Sequence, residues 1–136
     1  MPRIENGVNP ATGLSGLENA KAVKLAEINA ACQHALEGLT ATYPERELVS
    51  FDKQESEARA YMVDEKAQTP LLYALATARG ISLDDLAQRV IAKADAFAVA
   101  SGTIIGQRQA MEDRLEACQT EAEVAALTVA YSLPVA

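Results

Sequence analysis

Tryptophan is absent from this chain, histidine occurs once (His34), and the aromatic side chains are Phe51, Phe97, Tyr43, Tyr61, Tyr73 and Tyr131. Large aromatics contribute the most buried area per residue, so their scarcity excludes a bulky globular core. A single histidine is too little for a histidine-rich metal site, and Cys32, two residues away on a helix, points to a different face. Nucleophilic catalysis needs a base, oriented by a third group, beside a Ser, Cys or Thr, and no loop or nucleophile elbow presents such a set. Glycine-rich phosphate loops are missing as well, since Gly102 and Gly106 fall inside a helical pattern rather than between a strand and a helix. Paired carboxylates occur at Glu45/Glu47, Asp84/Asp85 and Glu112/Asp113/Glu116, where helix surfaces and helix starts normally carry charge. The expectation is a protein with no catalytic residues, no metal, no cofactor and no small-molecule substrate.

Positive charge is also scarce. The 136 residues carry a net charge of −7, and the nearest approaches to a basic stripe are the pairs Lys21/Lys24 and Arg89/Lys93. A phosphate backbone would be repelled, which disfavours nucleic acid. The uncharged stretch 96–106 is too short to span a bilayer, which needs about 20 residues. Met1 to Gly7 lacks the apolar core of a signal peptide, so the expected location is a cytoplasm. Cys32 and Cys118 both fall on apolar helical stripes and read as small buried hydrophobes, with a bridge between the two helices as the alternative.

What the chain does have is alanine and leucine. Apolar residues make up 49% of it, of types that favour thin helix-on-helix seams with close axes. An elongated or self-associating helical protein suits that supply. Residues 1–14, with Pro2, Gly7, Pro10 and Gly13, read as an irregular arm. Ser15 and Glu18 have the capping-box spacing and open a helix over 16–41 whose stripe is Leu25, Ile28, Cys32, Ala35 and Leu39. Tyr43-Pro44 ends it. A second helix is expected over 45–64, interrupted near Ser50, with Val49, Phe51, Ala58, Tyr61 and Met62 as its buried side. Thr69-Pro70 and Gly80 bound a third over 70–79. Ser82, followed by Asp84 and Asp85, starts a fourth.

That fourth helix, over 83–118, would be about 54 Å long at ~1.5 Å per residue. Its positions Leu83, Ala87, Val90, Ala94, Phe97, Ser101, Ile104, Arg108, Met111, Leu115 and Cys118 alternate steps of four and three, a heptad seam of about five repeats. The seam is longer than the first helix can cover. Val90, Ala94, Phe97, Ser101, Ile104, Arg108, Met111 and Leu115 are therefore the candidate protein-binding or oligomer surface. Ser101, Gly102 and Gly106 open a small-residue patch that fits either a close backbone approach or a kink. Arg108, polar on an apolar seam, either fixes register or snorkels to water. Thr120 and Glu123 start a last helix over 121–131, and 132–136 form a tail. The segment 45–54, mixing apolar and charged residues, is either a recognition surface or a packed connector. The expected architecture is all-α: one helical domain over 15–131, an elongated hairpin or coiled-coil-like bundle with one long helix.

Several stretches resemble a family of small tailed-phage and prophage proteins found with tail-fibre genes. They are Leu25-Ala26-Glu27-Ile28-Asn29-Ala30-Ala31-Cys32, Tyr43-Pro44-Glu45, the run from Phe51 to Ala60, and Thr69-Pro70-Leu71-Leu72. Arg79-Gly80-Ile81, the run from Ile91 to Phe97, and Ile105-Gly106-Gln107-Arg108-Gln109-Ala110 extend the likeness, which covers roughly 17–118. Several members are described as tail fibre assembly proteins. The resemblance implies either a chaperone that helps a fibre chain fold and trimerise, or a structural component retained in the virion. It implies a tail fibre or other phage tail protein as partner, homo-oligomers, and a place in the cytoplasm of an infected bacterial host or on the virion tail. It offers no catalytic residues to carry over.

Overall fold

Three hydroxyl side chains begin helices where their spacing predicts. In the computed structural model, which describes residues 15–134, Ser15 Oγ accepts from the Glu18 amide at 3.0 Å and opens α1 (Gly16–Thr40). Ser82 Oγ accepts from the Asp85 amide at 3.0 Å and opens α5 (Leu83–Ala117). Thr120 Oγ1 accepts from the Glu123 amide at 3.1 Å and opens α6 (Glu121–Ala126). Each of these bonds satisfies one of the amides that a helix start leaves unpaired. Between them lie α2 (Glu45–Leu48), α3 (Phe51–Val63) and α4 (Pro70–Arg79). The fold is all-α with one long helix, and the described residues contain no strand element. The arm expected over 1–14 lies outside the described residues, as do residues 135 and 136 of the tail.

Helix α4 spans the expected residues, but it is not capped by Thr69 as the Thr69-Pro70 pair predicts. The Leu72 amide instead donates to Glu57 Oε1 at 2.9 Å, so a carboxylate on α3 caps α4 from across the helix pair. Glu57 is 3% exposed, and its Oε2 lies 3.2 Å from Lys53 Nζ, an ion-pair contact not aligned as a hydrogen bond. At the other end Gly80 sits at φ +72°, a conformation glycine adopts without a Cβ penalty, and the Ile81 amide closes the turn on Ala76 O at 3.1 Å.

The chain forms two compact units. One combines the described parts of 1–38 and 101–136. Its core is Ile28, Met111, Leu115 and Val124, with Leu17, Leu25, Cys118, Leu127 and Tyr131 packed against it. Lys21 Nζ donates to Glu116 O at 3.0 Å and Lys24 Nζ to Leu127 O at 3.0 Å. The helix expected over 121–131 stops at Ala126, and the following extended segment is held by side chains: the Gln107 amide group donates to Ser132 O at 2.7 Å and accepts from Ser132 N at 2.8 Å. Tyr131 donates to Ile28 O at 2.8 Å, and burial, followed by its contact with Cys32, raises the phenol above its ordinary pKa. Cys32 and Cys118 are both free thiols, so the alternative of a bridge between them is not realised.

The other unit spans 39–100. Ala58, Leu72, Ala76, Leu86 and Ala87 are buried at its centre, with Tyr61, Leu75, Ile81, Leu83, Val90 and Ile91 packed around them. The helix expected over 45–64 breaks at Val49 and Ser50, where the Ser50 hydroxyl donates to Glu47 O at 2.7 Å. Of the side chains expected on the buried side, Ala58 is fully buried and Phe51 and Tyr61 are half-buried, whereas Val49, at the break, is 81% exposed and Met62 is half exposed. Arg59 ties α3 to α5 through Asp95 at 2.6 Å and also pairs with Glu55 at 2.9 Å. Bonds first to Glu55 and then to Asp95 raise the guanidinium's already high pKa.

Candidate protein-binding cleft

The long seam on α5 is mostly occupied by the chain itself. Ala87 is buried in the core of the 39–100 unit, Ile104 is buried, and Met111 and Leu115 belong to the core of the other unit. Ser101 is half-buried. Arg108 resolves its two readings by pairing within its own unit, with Glu112 at 2.6 Å and Asn29 Oδ1 at 3.2 Å. Helix α5 runs unbroken through Gly102 and Gly106, and among the described residues a Cβ added at either glycine would meet nothing within 4 Å. Among the described residues, the close backbone approach, one of the two readings of these glycines, is therefore not made. The continuous exposed stripe that the spacing predicts is corrected to a short one.

What stays open is the stretch around Ala94 and Phe97. Val90, Lys93, Ala94, Phe97 and Ala100 share one face of α5, at helical spacings of three and four. Three of these five are small or β-branched, so the face leaves room. Leu39 and Thr40 at the end of α1, Tyr43, and Phe51 at the start of α3 complete its lining, and the open cleft measures about 350 Å³. All of it lies within the 39–100 unit. Phe97 is 45% exposed, and Val99, two residues on, is 58% exposed.

An aromatic corner fixes one end of this cleft. The Tyr43 and Phe51 rings meet edge to face with centroids 5.1 Å apart, a favoured arrangement of two quadrupoles. Lys93 Nζ sits 4.1 Å from the Tyr43 ring centroid and 5.5 Å from that of Phe51. The ammonium is thus held over the rings. A second hollow, of about 390 Å³, adjoins the first across Tyr43, Phe51, Gln54, Val90 and Lys93 and reaches Leu75, Arg79 and Arg89.

Of the candidate residues, the structure gathers Val90, Ala94 and Phe97 into this cleft. It buries Ile104, Met111 and Leu115 in the other unit, where Arg108 is half-buried and paired with Glu112. Sequence reasoning named Leu39, Tyr43 and Lys93 but did not place them in a binding surface. Tyr43 carried a signal, an aromatic directly before the proline that ends a helix, but only its chain-terminating role was read. Among the described residues no group of His, Cys, Asp and Glu is arranged to hold a metal ion, His34 is exposed on α1, and no helix is long and apolar enough to cross a membrane.

The class so defined is a helical protein with an open apolar cleft. An uncharacterized protein of Haemophilus influenzae is 46% identical to the chain over 57 residues, which make up 42% of this chain and 84% of that protein. The chain belongs to the family of that protein. The family description "HI1402 helical domain" matches residues 92–129, from the exposed stretch of α5 through α6. No solved structure matches.

Proposed function

We propose that this protein acts by binding another protein at the 39–100 cleft, without catalysis, and that it serves as a tail-fibre assembly factor. The observation that carries the binding reading is the cleft of about 350 Å³ bordered by the exposed ring of Phe97. Open apolar surface of this kind is what a folded chain presents to a partner. The tail-fibre assignment is supported by the likeness of the stretches quoted above, several of which line or support the cleft: Tyr43-Pro44, the run from Phe51, and Ile91 to Phe97. Strand-rich fibre chains expose apolar surface before they trimerise, and a helical binder that covers it keeps them from aggregating.

Co-expression with the fibre protein encoded in the same genome tests this. Soluble, trimeric fibre is expected only when this protein is present, and Phe97→Asp should abolish the effect, because docking would bury an unpaired charge. Fibre that is equally soluble and trimeric alone overturns the assembly role. Mass spectrometry of purified virions adds an independent readout: an assembly factor is far below stoichiometry there, whereas a retained tail component is stoichiometric.

A further inference from the structure

The two hollows of the 39–100 unit differ in character. The first is lined mainly by apolar side chains, with Asp52 and Glu55 at its edge, and Glu55 is already held by Arg59 at 2.9 Å. The second carries Arg79, Arg89 and Lys93 against Glu47 alone. Arg89 is engaged by Asp85 at 3.0 Å. Among the described residues neither Arg79 nor Lys93 has a carboxylate within ion-pair distance. In a chain of net charge −7, such a local excess of unpaired cations beside an apolar basin runs against the background. Helix packing does not require it either: Arg79 is exposed at the end of α4, and Lys93 rests on aromatic faces rather than on an acid.

We infer that the groove takes a segment of a partner protein in which an aromatic or leucine side chain stands next to carboxylates. The apolar side chain enters the basin between Leu39, Phe51, Ala94 and Phe97, and the carboxylates meet Lys93 and Arg79. Lys93, which lines both hollows, is the hinge of the recognition: its ammonium rests over the Tyr43 and Phe51 rings that the two hollows share. Charge complementarity of this kind sets which segment docks, while the apolar basin holds it. The inference rests on the reading of the cleft as a protein-docking site, and it fixes the chemistry of the partner.

A random linear peptide library panned on the immobilised full chain, with recovered peptides titrated by fluorescence anisotropy, tests it. Recovered sequences are expected to join a Phe, Tyr or Leu to Asp or Glu. Lys93→Glu and Arg79→Glu, both at exposed positions, should each weaken binding about tenfold or more. Ala96→Tyr, uncharged and exposed, should abolish it by filling the basin, with helix content by circular dichroism unchanged in all three. Neutral or basic peptides that are lost on Ala96→Tyr but indifferent to the charge reversals overturn the acidic partner and leave protein docking intact. Peptides indifferent to Ala96→Tyr, or no recovered peptides, overturn both. So does occupancy of the groove by a second copy, seen as a molar mass that halves on Ala96→Tyr, or by dodecanoate that peptides fail to displace.

Discussion

Glu57 is the residue on which the geometry of the 39–100 unit turns, and its replacement gives a graded test. The side chain is 3% exposed, and Oε1 takes the Leu72 amide at 2.9 Å. Glu57→Ala leaves that amide without a partner inside the protein and opens a void between α3 and α4. A hydrogen bond to a charged group is worth about 1.5–3 kcal/mol, and loss of a helix cap costs about 0.5–2 kcal/mol. These describe one interaction, so the expected cost is about 2–3 kcal/mol rather than their sum. Glu57→Gln keeps an acceptor at the same place and loses only the charge near the start of α4, for about 1 kcal/mol or less. Lys53→Met removes an exposed partner and should cost less still. Native-state amide exchange at Leu72, read beside urea unfolding followed by circular dichroism, separates local opening of α4 from global unfolding. Equal costs for Glu57→Ala and Glu57→Gln, or a gain in stability from either, would refute the capping role.

Other substitutions probe the rest of the fold. Ile28→Ala, at a fully buried position, should cost about 2–5 kcal/mol in urea midpoints, and a smaller loss would mean that the core of its unit collapses around the gap. Tyr131→Phe removes the bond to Ile28 O and should cost about 1 kcal/mol at neutral pH. The folded phenol's pKa is raised, so its protonated form contributes fully below the ordinary tyrosine pKa of about 10. That contribution is lost as pH climbs through the folded value, and wild type should converge on Tyr131→Phe in alkaline unfolding series. Gly80→Ala forces a Cβ into φ +72° and should lower stability by about 1 kcal/mol, read as a reduced melting temperature.

Helix positions were legible because the signals are local. Ser15, Ser82 and Thr120 cap where their spacing says, and Gly80 stops α4 in the left-handed conformation. The cap on α4 was not legible, because Glu57 lies fifteen residues before Leu72 and their meeting depends on how α3 turns back. The periodicity of α5 predicts a helix over 83–118, with its continuity at Gly102 and Gly106 left open, and α5 spans Leu83–Ala117; a heptad stripe states only that a face is apolar and leaves open what covers it. At Met111 and Leu115 the cover is the chain's own α1 and α6 segment, and at Ala87 it is α3 and α4. Only the alanine-rich interval near Phe97 is left open. Lys93 reads from sequence only as half of a charge pair with Arg89, because a lysine one step off a seam reads as a solvated charge until the Tyr43 ring is seen beneath it.

Binding at the cleft is the claim that most of this account depends on, and amide hydrogen exchange of the full chain with and without the co-encoded fibre protein tests it most directly. The account predicts slowed exchange in two stretches, the start of α3 around residues 51–55 and the α5 interval 90–100, with the core around Ile28 and Met111 unchanged. An unchanged pattern on adding the fibre protein, or protection confined to residues 101–134, would contradict it.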